Sequence, residues 1–318
     1  MNHPVLTSLL PVVLLIAAGF AAGKRGWISA GSVKDLSNLV FFLLSPALLF
    51  RAMSTVHVEQ LSLRPVAVYF IAAGLIFAGT LVLRGFNSRT AVLALANTYS
   101  NAVMIGIPLI GLAYGPEGMV TLLTLVSLHS LVILTTATVV LELAVSRDAA
   151  LAAKRDGVQM PARPMLATVL TAVRNAVLHP VPIPIIVGLL FAQTGWVLPE
   201  VIDKPIQLLG QAFGPLALVM VGITLAHTAV GQHLRGALVQ ALVKNLLHPV
   251  LVVALGWALG LTGLPLTVMV VAASLPIGAN VFLFSQRYKV AEELVTASVA
   301  VSTALALVTV SVVMALVG

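Results

Sequence analysis

Two stretches of the chain set amide and hydroxyl side chains beside glycine and proline inside otherwise apolar sequence. The first, ANTYSNAVMIGIPLIG, carries Asn97, Ser100 and Asn101 a turn or so before Gly106 and Pro108. The second, AASLPIGANVFLF, carries Ser274, Pro276, Gly278 and Asn280. A proline removes a backbone donor and displaces a carbonyl, and a neighbouring glycine tolerates the dihedrals that follow. In hydrocarbon the freed groups must face protein, water or a solute. Where both helices break, the amino ends of the half-helices turn N–H groups and partial positive charge toward one small volume, a seat for a carboxylate. The asparagines add neutral donors. The plainer alternative is a pair of kinks whose asparagines join neighbouring helices. Two such segments, each flanked by asparagine, favour the ligand-binding reading.

Other polar residues fall inside apolar runs. His129, in LVSLHSLVIL, is either a neutral histidine bonded between helices or a contact for substrate or proton. Lys244 either snorkels to the membrane surface or lends the site a positive field, and Arg51 is expected to snorkel outward. All ten acidic residues lie at or near expected loop boundaries. With no carboxylate at mid-membrane, cation exchange is disfavoured and an anionic cargo is favoured.

The elements that must position these groups follow from composition. Of 318 residues, 60% are hydrophobic and 8% charged, against roughly 25% charged in a soluble domain. A water-soluble fold is excluded, and the chain reads as an all-α membrane protein. At about 20 apolar residues per crossing, spans are expected near 5–23, 36–54, 65–84, 90–113, 119–143, 181–198, 206–228, 236–261, 265–285 and 293–317. The sixth is opened by Pro180, Pro182 and Pro184. All but three of the 17 Lys and Arg residues then fall on one side, the exceptions being Arg51, Arg64 and Lys204. The positive-inside rule places both termini outside the cytoplasm. The basic balance thus orients the chain in the bilayer and gives no sign of nucleic acid. Without cysteine there is no disulfide, thiolate nucleophile or cysteine-held metal, and no cofactor or metal site is expected.

The halves echo one another. Trp27 with Trp196, Pro46 with Pro215 and Pro108 with Pro276 keep one register to within a residue. Residues 1–145 and 181–318 therefore read as two five-helix repeats joined by a cytoplasmic linker, 146–180. An odd number of helices per repeat makes the second copy inverted, an arrangement suited to alternating access.

SNAVMIGIPLI, the SPALLF of helix two, the LLHPVL of helix eight and the LPIGANVFLFSQRY of helix nine together resemble the auxin efflux carrier family, across essentially the whole chain. The resemblance implies ten helices in two inverted repeats, with broken helices four and nine crossing at the substrate site. It assigns Asn101, Gly106, Pro108, Pro276 and Gly278 to that site, and His129 to a polar position lining it. Where plant members have a second proline after the glycine, this chain has Val281. The short linker is that of a bacterial inner-membrane member, which implies a malonate-like organic anion alongside the auxin-like carboxylates of plant carriers, and a homodimer. The expected function is secondary transport of a small organic anion, with His129 the candidate if a proton accompanies it. A sodium-coupled symporter of the bile acid carrier type is the alternative. An intramembrane enzyme is disfavoured, since no HExxH, GxSxG or paired intramembrane aspartates occur.

Overall fold

The computed structural model describes residues 4–56, 61–156, 170, 182–228 and 231–317. Its described residues are helical, without a strand. In chain order the helices are α1 (Pro4–Lys24), α2 (Ser32–Met53), α3 (Leu63–Arg84), α4 (Ser88–Ala96), α5 (102–114), α6 (116–156), α7 (Pro182–Gln193), α8 (Glu200–His227), α9 (Leu234–Ala258), α10 (Gly263–Ser274), α11 (Asn280–Tyr288) and α12 (Glu292–Val317). Six helical runs are long and apolar enough to cross a bilayer: α2, α3, the stretch Ala102–Ala152, α8, α9 and α12. Shorter apolar helices add to them at Leu10–Lys24, Ile183–Gln193 and Gly263–Ser274. Val82, Leu83 and Leu190 stand exposed, a placement that lipid accepts and water does not.

The stretch 102–152 is not one rod. Gly115 adopts φ 59°, ψ −154°, a conformation that glycine takes without strain, and Pro116 opens α6, where its missing N–H costs nothing. Beyond it α6 continues through Asp156, into the stretch expected to be linker, because SRDAALAAKRD is rich in good helix formers. Pro180, Arg163 and Arg174 lie outside the described residues.

Three prolines act here by widening helices, while Pro11, Pro205 and Pro215 lie within unwidened helix. π-helical turns at Val40–Leu44, Ala102–Gly106 and Val243–Leu247 are each followed, two residues on, by Pro46, Pro108 and Pro249. A proline ring clashes with the carbonyl four residues back, and in each case that carbonyl lies in the widened turn. Bonding five residues back relieves the clash. Pro215, the counterpart of Pro46 in the sequence echo, sits instead inside the unbroken α8.

Packing gathers the helices into two groups. In one, α1 lies along α8, and α2 packs on α7 and α8. Glycines set these distances. A Cβ on Gly19 would stand 1.9 Å from the Val219 carbonyl oxygen, and one on Gly222 2.0 Å from that of Ile16. Small residues of this kind let membrane helices meet backbone to backbone. In the other group α9 packs on α12, α10 and α3, while α4 lies between α3 and α6. Residues 90–96 of α4 and 268–273 of α10 are buried all round, so the arms leading into both breaks are screened by protein. The π-helical start of α5 meets α8, which puts α5 at the junction of the two groups.

Candidate functional site

The chain leaves helical geometry after α4 and again after α10, and the two irregular segments pair with each other. Asn101 N donates to Pro276 O at 2.8 Å, and Gly278 N donates to Tyr99 O at 2.9 Å. They form an antiparallel bridge centred on Ser100 and Ile277. The closeness favours glycine at 278, where a Cβ would lie 2.7 Å from the Tyr99 ring and 3.1 Å from Ser100 O; at Gly106 a Cβ would meet only the end of the Leu275 side chain, which can shift. The first break thus precedes Gly106 and Pro108, at residues 97–101, whereas Pro276 and Gly278 sit inside the second. Pro108 is accommodated by the π turn, which lets α5 start at Ala102.

Backbone groups freed at the second break are almost all engaged, as an apolar surrounding requires. Ile277 N donates to Ser302 Oγ at 3.0 Å, and Ser302 in turn donates to Asn245 Oδ1 at 2.8 Å. Ala273 O and Leu275 O accept from Lys244 Nζ at 2.6 and 2.8 Å. At the first break the end of α4 is closed by the Thr98 hydroxyl, donating to Ala94 O at 3.0 Å. The amino ends of α5 and α11 remain as electropositive features, because the first N–H groups of any helix lack a partner within it.

A buried polar cluster backs the crossing. Tyr69 OH lies 2.7 Å from Ser100 Oγ and 3.2 Å from His129 Nε2. The His129 ring centre is 4.5 Å from that of Tyr99, and the His248 ring is 4.8 Å from Tyr69. Asn280 Nδ2 donates to Tyr99 OH at 2.8 Å. His129 therefore bonds between helices, buried with Ser100. Asn97 donates to Thr80 Oγ1 at 3.1 Å, a tie between the end of α4 and α3. Of the residues singled out from sequence, Asn101 and Asn280 are half-buried, while Asn97, Ser100, Gly106, Pro108, His129, Pro276 and Gly278 are buried. The Asn101 side chain makes no capping bond to α5.

Between the two helix groups lies a cavity of about 1350 Å³. Its walls are mainly apolar and include Trp196, Gly115 and Pro265. Pro108 lines it, together with Ile107 and Gly111. Asn101, seven residues before Pro108 and so roughly 10 Å of helix rise away, is not among the residues lining it. The cation in the cavity wall is Arg51, which forms a bidentate pair with Asp203 (Nε to Oδ1 2.8 Å, Nη2 to Oδ2 3.1 Å). Arg51 therefore faces the cavity, held by α8, and does not simply reach for the surface. Among the described residues no cluster of three histidine or acidic groups could hold a metal.

The model of the family described as "Membrane transport protein" matches residues 4–314. The chain belongs to this family, that of the auxin efflux carriers. It is a transporter family, so this membrane transport protein is a multi-pass carrier and not an enzyme. It is 28% identical over 313 residues to a "Putative malonate transporter" of Rhizobium meliloti (strain 1021), covering 95% of this chain and 92% of the relative. It is also 28% identical over 146 residues to "Auxin efflux carrier component 8" of Arabidopsis thaliana, covering 44% of this chain and 40% of the relative.

Neither Tyr69 nor Tyr99 stands out in the sequence of this carrier. Yet Tyr69 joins Ser100 to His129, and Tyr99 supplies both a carbonyl and a hydroxyl to the second break. The available signal was a lone tyrosine in the apolar run VAVYFIAA. A buried tyrosine hydroxyl needs a partner, which points inward to other polar groups.

Proposed function

We propose that this membrane transport protein is a secondary transporter of a small organic anion, a malonate-like or auxin-like carboxylate, working by alternating access around the crossing of residues 97–101 with 275–279. In this reading α4 with α5, and α10 with α11, are single broken crossings. The twelve helical segments then make ten crossings, in two inverted repeats (1–145 and 181–318) joined by the cytoplasmic linker 146–180. Both termini lie outside, and two copies form a homodimer. The carrying observation is the main-chain pairing of the two breaks. It sets the amino ends of α5 and α11 at one place, next to Lys244 and, among the described residues, without a carboxylate. Asn101 and Asn280, half-buried there, are the contacts proposed for the cargo. Asn97, Ser100, Gly106, Pro108, His129, Pro276 and Gly278 shape and support the seat. The cavity is the entry route, and it must extend beyond Pro108 by about two turns for cargo to reach Asn101, a movement that rocking one helix group against the other supplies. Kinship to the relative named "Putative malonate transporter" supports the cargo class.

The test is uptake into proteoliposomes of radiolabelled mono- and dicarboxylates, with amines of equal size as controls. Saturable accumulation of at least one carboxylate and of no amine is expected; amine uptake, or no carboxylate uptake from a correctly folded preparation, would overturn the proposal. Arg51 gives a further expectation. Arg51→Gln should slow carboxylate uptake severalfold at low ionic strength, with the deficit shrinking as salt screens the cavity wall. Stability should change little, because both partners of the Arg51–Asp203 pair are partly exposed and such pairs are screened. A deficit independent of salt would place Arg51 in packing instead of steering.

A further inference from the structure

The cavity wall holds a charged pair that the packing of its helices does not require. Arg51, in the last turn of α2, reaches Asp203 in the first turn of α8, and both residues line the cavity. Their side chains stay 41% and 31% exposed, so a solute in the cavity can reach them, and a pair this open is held only weakly. The two helices are locked together without it. A Cβ on Gly210 of α8 would stand 3.1 Å from Leu48 Cα of α2, a backbone approach that fixes their spacing. Among the described residues Arg51 is the only cation in the cavity wall.

The geometry of the pair is that of carboxylate recognition. Nε donates to Oδ1 at 2.8 Å and Nη2 to Oδ2 at 3.1 Å, the two parallel bonds by which a guanidinium reads any carboxylate. Asp203 can be released at small cost. It stands in the turn where the first N–H groups of α8 present positive charge, and Lys204 is the next residue, so the displaced carboxylate keeps water and favourable charge around it. An internal carboxylate seated on the one cation of an anion's route acts as a competitor, tethered at a fixed effective concentration.

We propose that Arg51 is an entry subsite for the carboxylate of the cargo and that Asp203 is its built-in competitor. The cargo displaces Asp203, is held side-on by Nε and Nη2 of Arg51, and leaves for the crossing as Asp203 returns. The inference rests on the reading of the cavity as an anion's route. It goes beyond that reading by naming the atoms that first take the anion and the residue that keeps them from holding it too long.

The test is modification of Arg51 by phenylglyoxal in the purified full-length carrier, followed by mass spectrometry. Malonate, benzoate and indole-3-acetate are the probes, and chloride at equal ionic strength is the reference. At least one carboxylate should slow the modification in a saturable way where chloride does not. Asp203→Asn should lower the half-protecting concentration of that carboxylate about fivefold, the size expected when a partly exposed ion pair no longer competes. Glu117→Gln, which removes the same charge from the same wall, should change it less than about twofold. Three results overturn the proposal: chloride protecting as well as every carboxylate, Asp203→Asn keeping the wild-type half-protecting concentration, or Glu117→Gln matching Asp203→Asn. Should Asp203→Asn fail to accumulate, Asp203→Ala is read in the same way, and the wild-type comparison with chloride stands by itself. Modification is measured without transport, so a failed uptake screen with protection intact removes the carrier reading and leaves the subsite. Lost protection with uptake intact removes the subsite alone.

Discussion

Asn101→Ala protein should fold and insert like the wild type, yet take up carboxylate about tenfold to a hundredfold more slowly, the size expected when a hydrogen bond to a charged partner is lost. The two halves of this expectation have separate physical origins. The crossing is held by main-chain bonds, from Asn101 N to Pro276 O and from Gly278 N to Tyr99 O, and neither involves the Asn101 side chain. That side chain caps nothing in α5 and is half-buried, so truncating it leaves no orphan group in the core. What it removes is a neutral donor beside the amino end of α5, where an arriving anion meets the first unpaired N–H groups. Folded yield is read by size-exclusion chromatography in detergent, and transport by initial uptake rates at equal reconstituted protein. Collapse of the folded yield would make Asn101 a joint of the fold and remove it from the proposed seat.

Gly222→Leu should have the opposite signature, a failure of the fold before any question of transport arises. The smallest possible side chain at this position already stands 2.0 Å from the Ile16 carbonyl oxygen and 2.6 Å from Phe20 N. Both neighbours are main-chain atoms of a helix, so no rotamer change relieves the contact. Gly19 makes the reciprocal approach to Val219 from the other side of the same seam. Parting α1 from α8 would forfeit the closest helix contact of its group. The expected cost exceeds about 4 kcal/mol, in the exceptional class of single substitutions. Thermal unfolding and membrane yield report it, and a variant that unfolds within a degree or two of wild type would show that the seam yields far more easily than its geometry implies.

The residues differ in how much they disclosed in advance. Apolar runs and the placement of Lys and Arg were enough to draw an all-helical membrane chain, since the bilayer admits few other solutions. SNAVMIGIPLI and LPIGANVFLF pointed to the family, and the match over residues 4–314 agrees with that reading. The location of the first break was less legible. Proline and glycine marked Gly106 and Pro108, but a π-helical turn absorbed Pro108, and the break lies at residues 97–101. The same limit applies to Pro46 and Pro215, alike in sequence and different in local geometry, because a proline can be met by a widened turn or by a bend, and neighbours decide which. Lys244 could not be resolved from sequence at all: its stem is long enough to reach either water or the crossing, and the deciding acceptors, Ala273 O and Leu275 O, are backbone atoms with no side-chain signature. Tyr69 was hidden for a related reason, its ring being at home in an apolar run while its hydroxyl seeks partners on α6 and at the first break. Gly19 and Gly222 are separated by most of the chain, and only the folded packing reveals that each exists for the other.

The most direct measurement is the alkylation of a single cysteine at Asn101, which the absence of native cysteine makes free of background. A membrane-impermeant maleimide applied to the reconstituted Asn101→Cys carrier should label it, and the carboxylate that wild-type protein accumulates should slow that labelling in a saturable manner. Labelling that proceeds at one rate whatever carboxylate is present would contradict a seat for the anion at the crossing of the two broken helices.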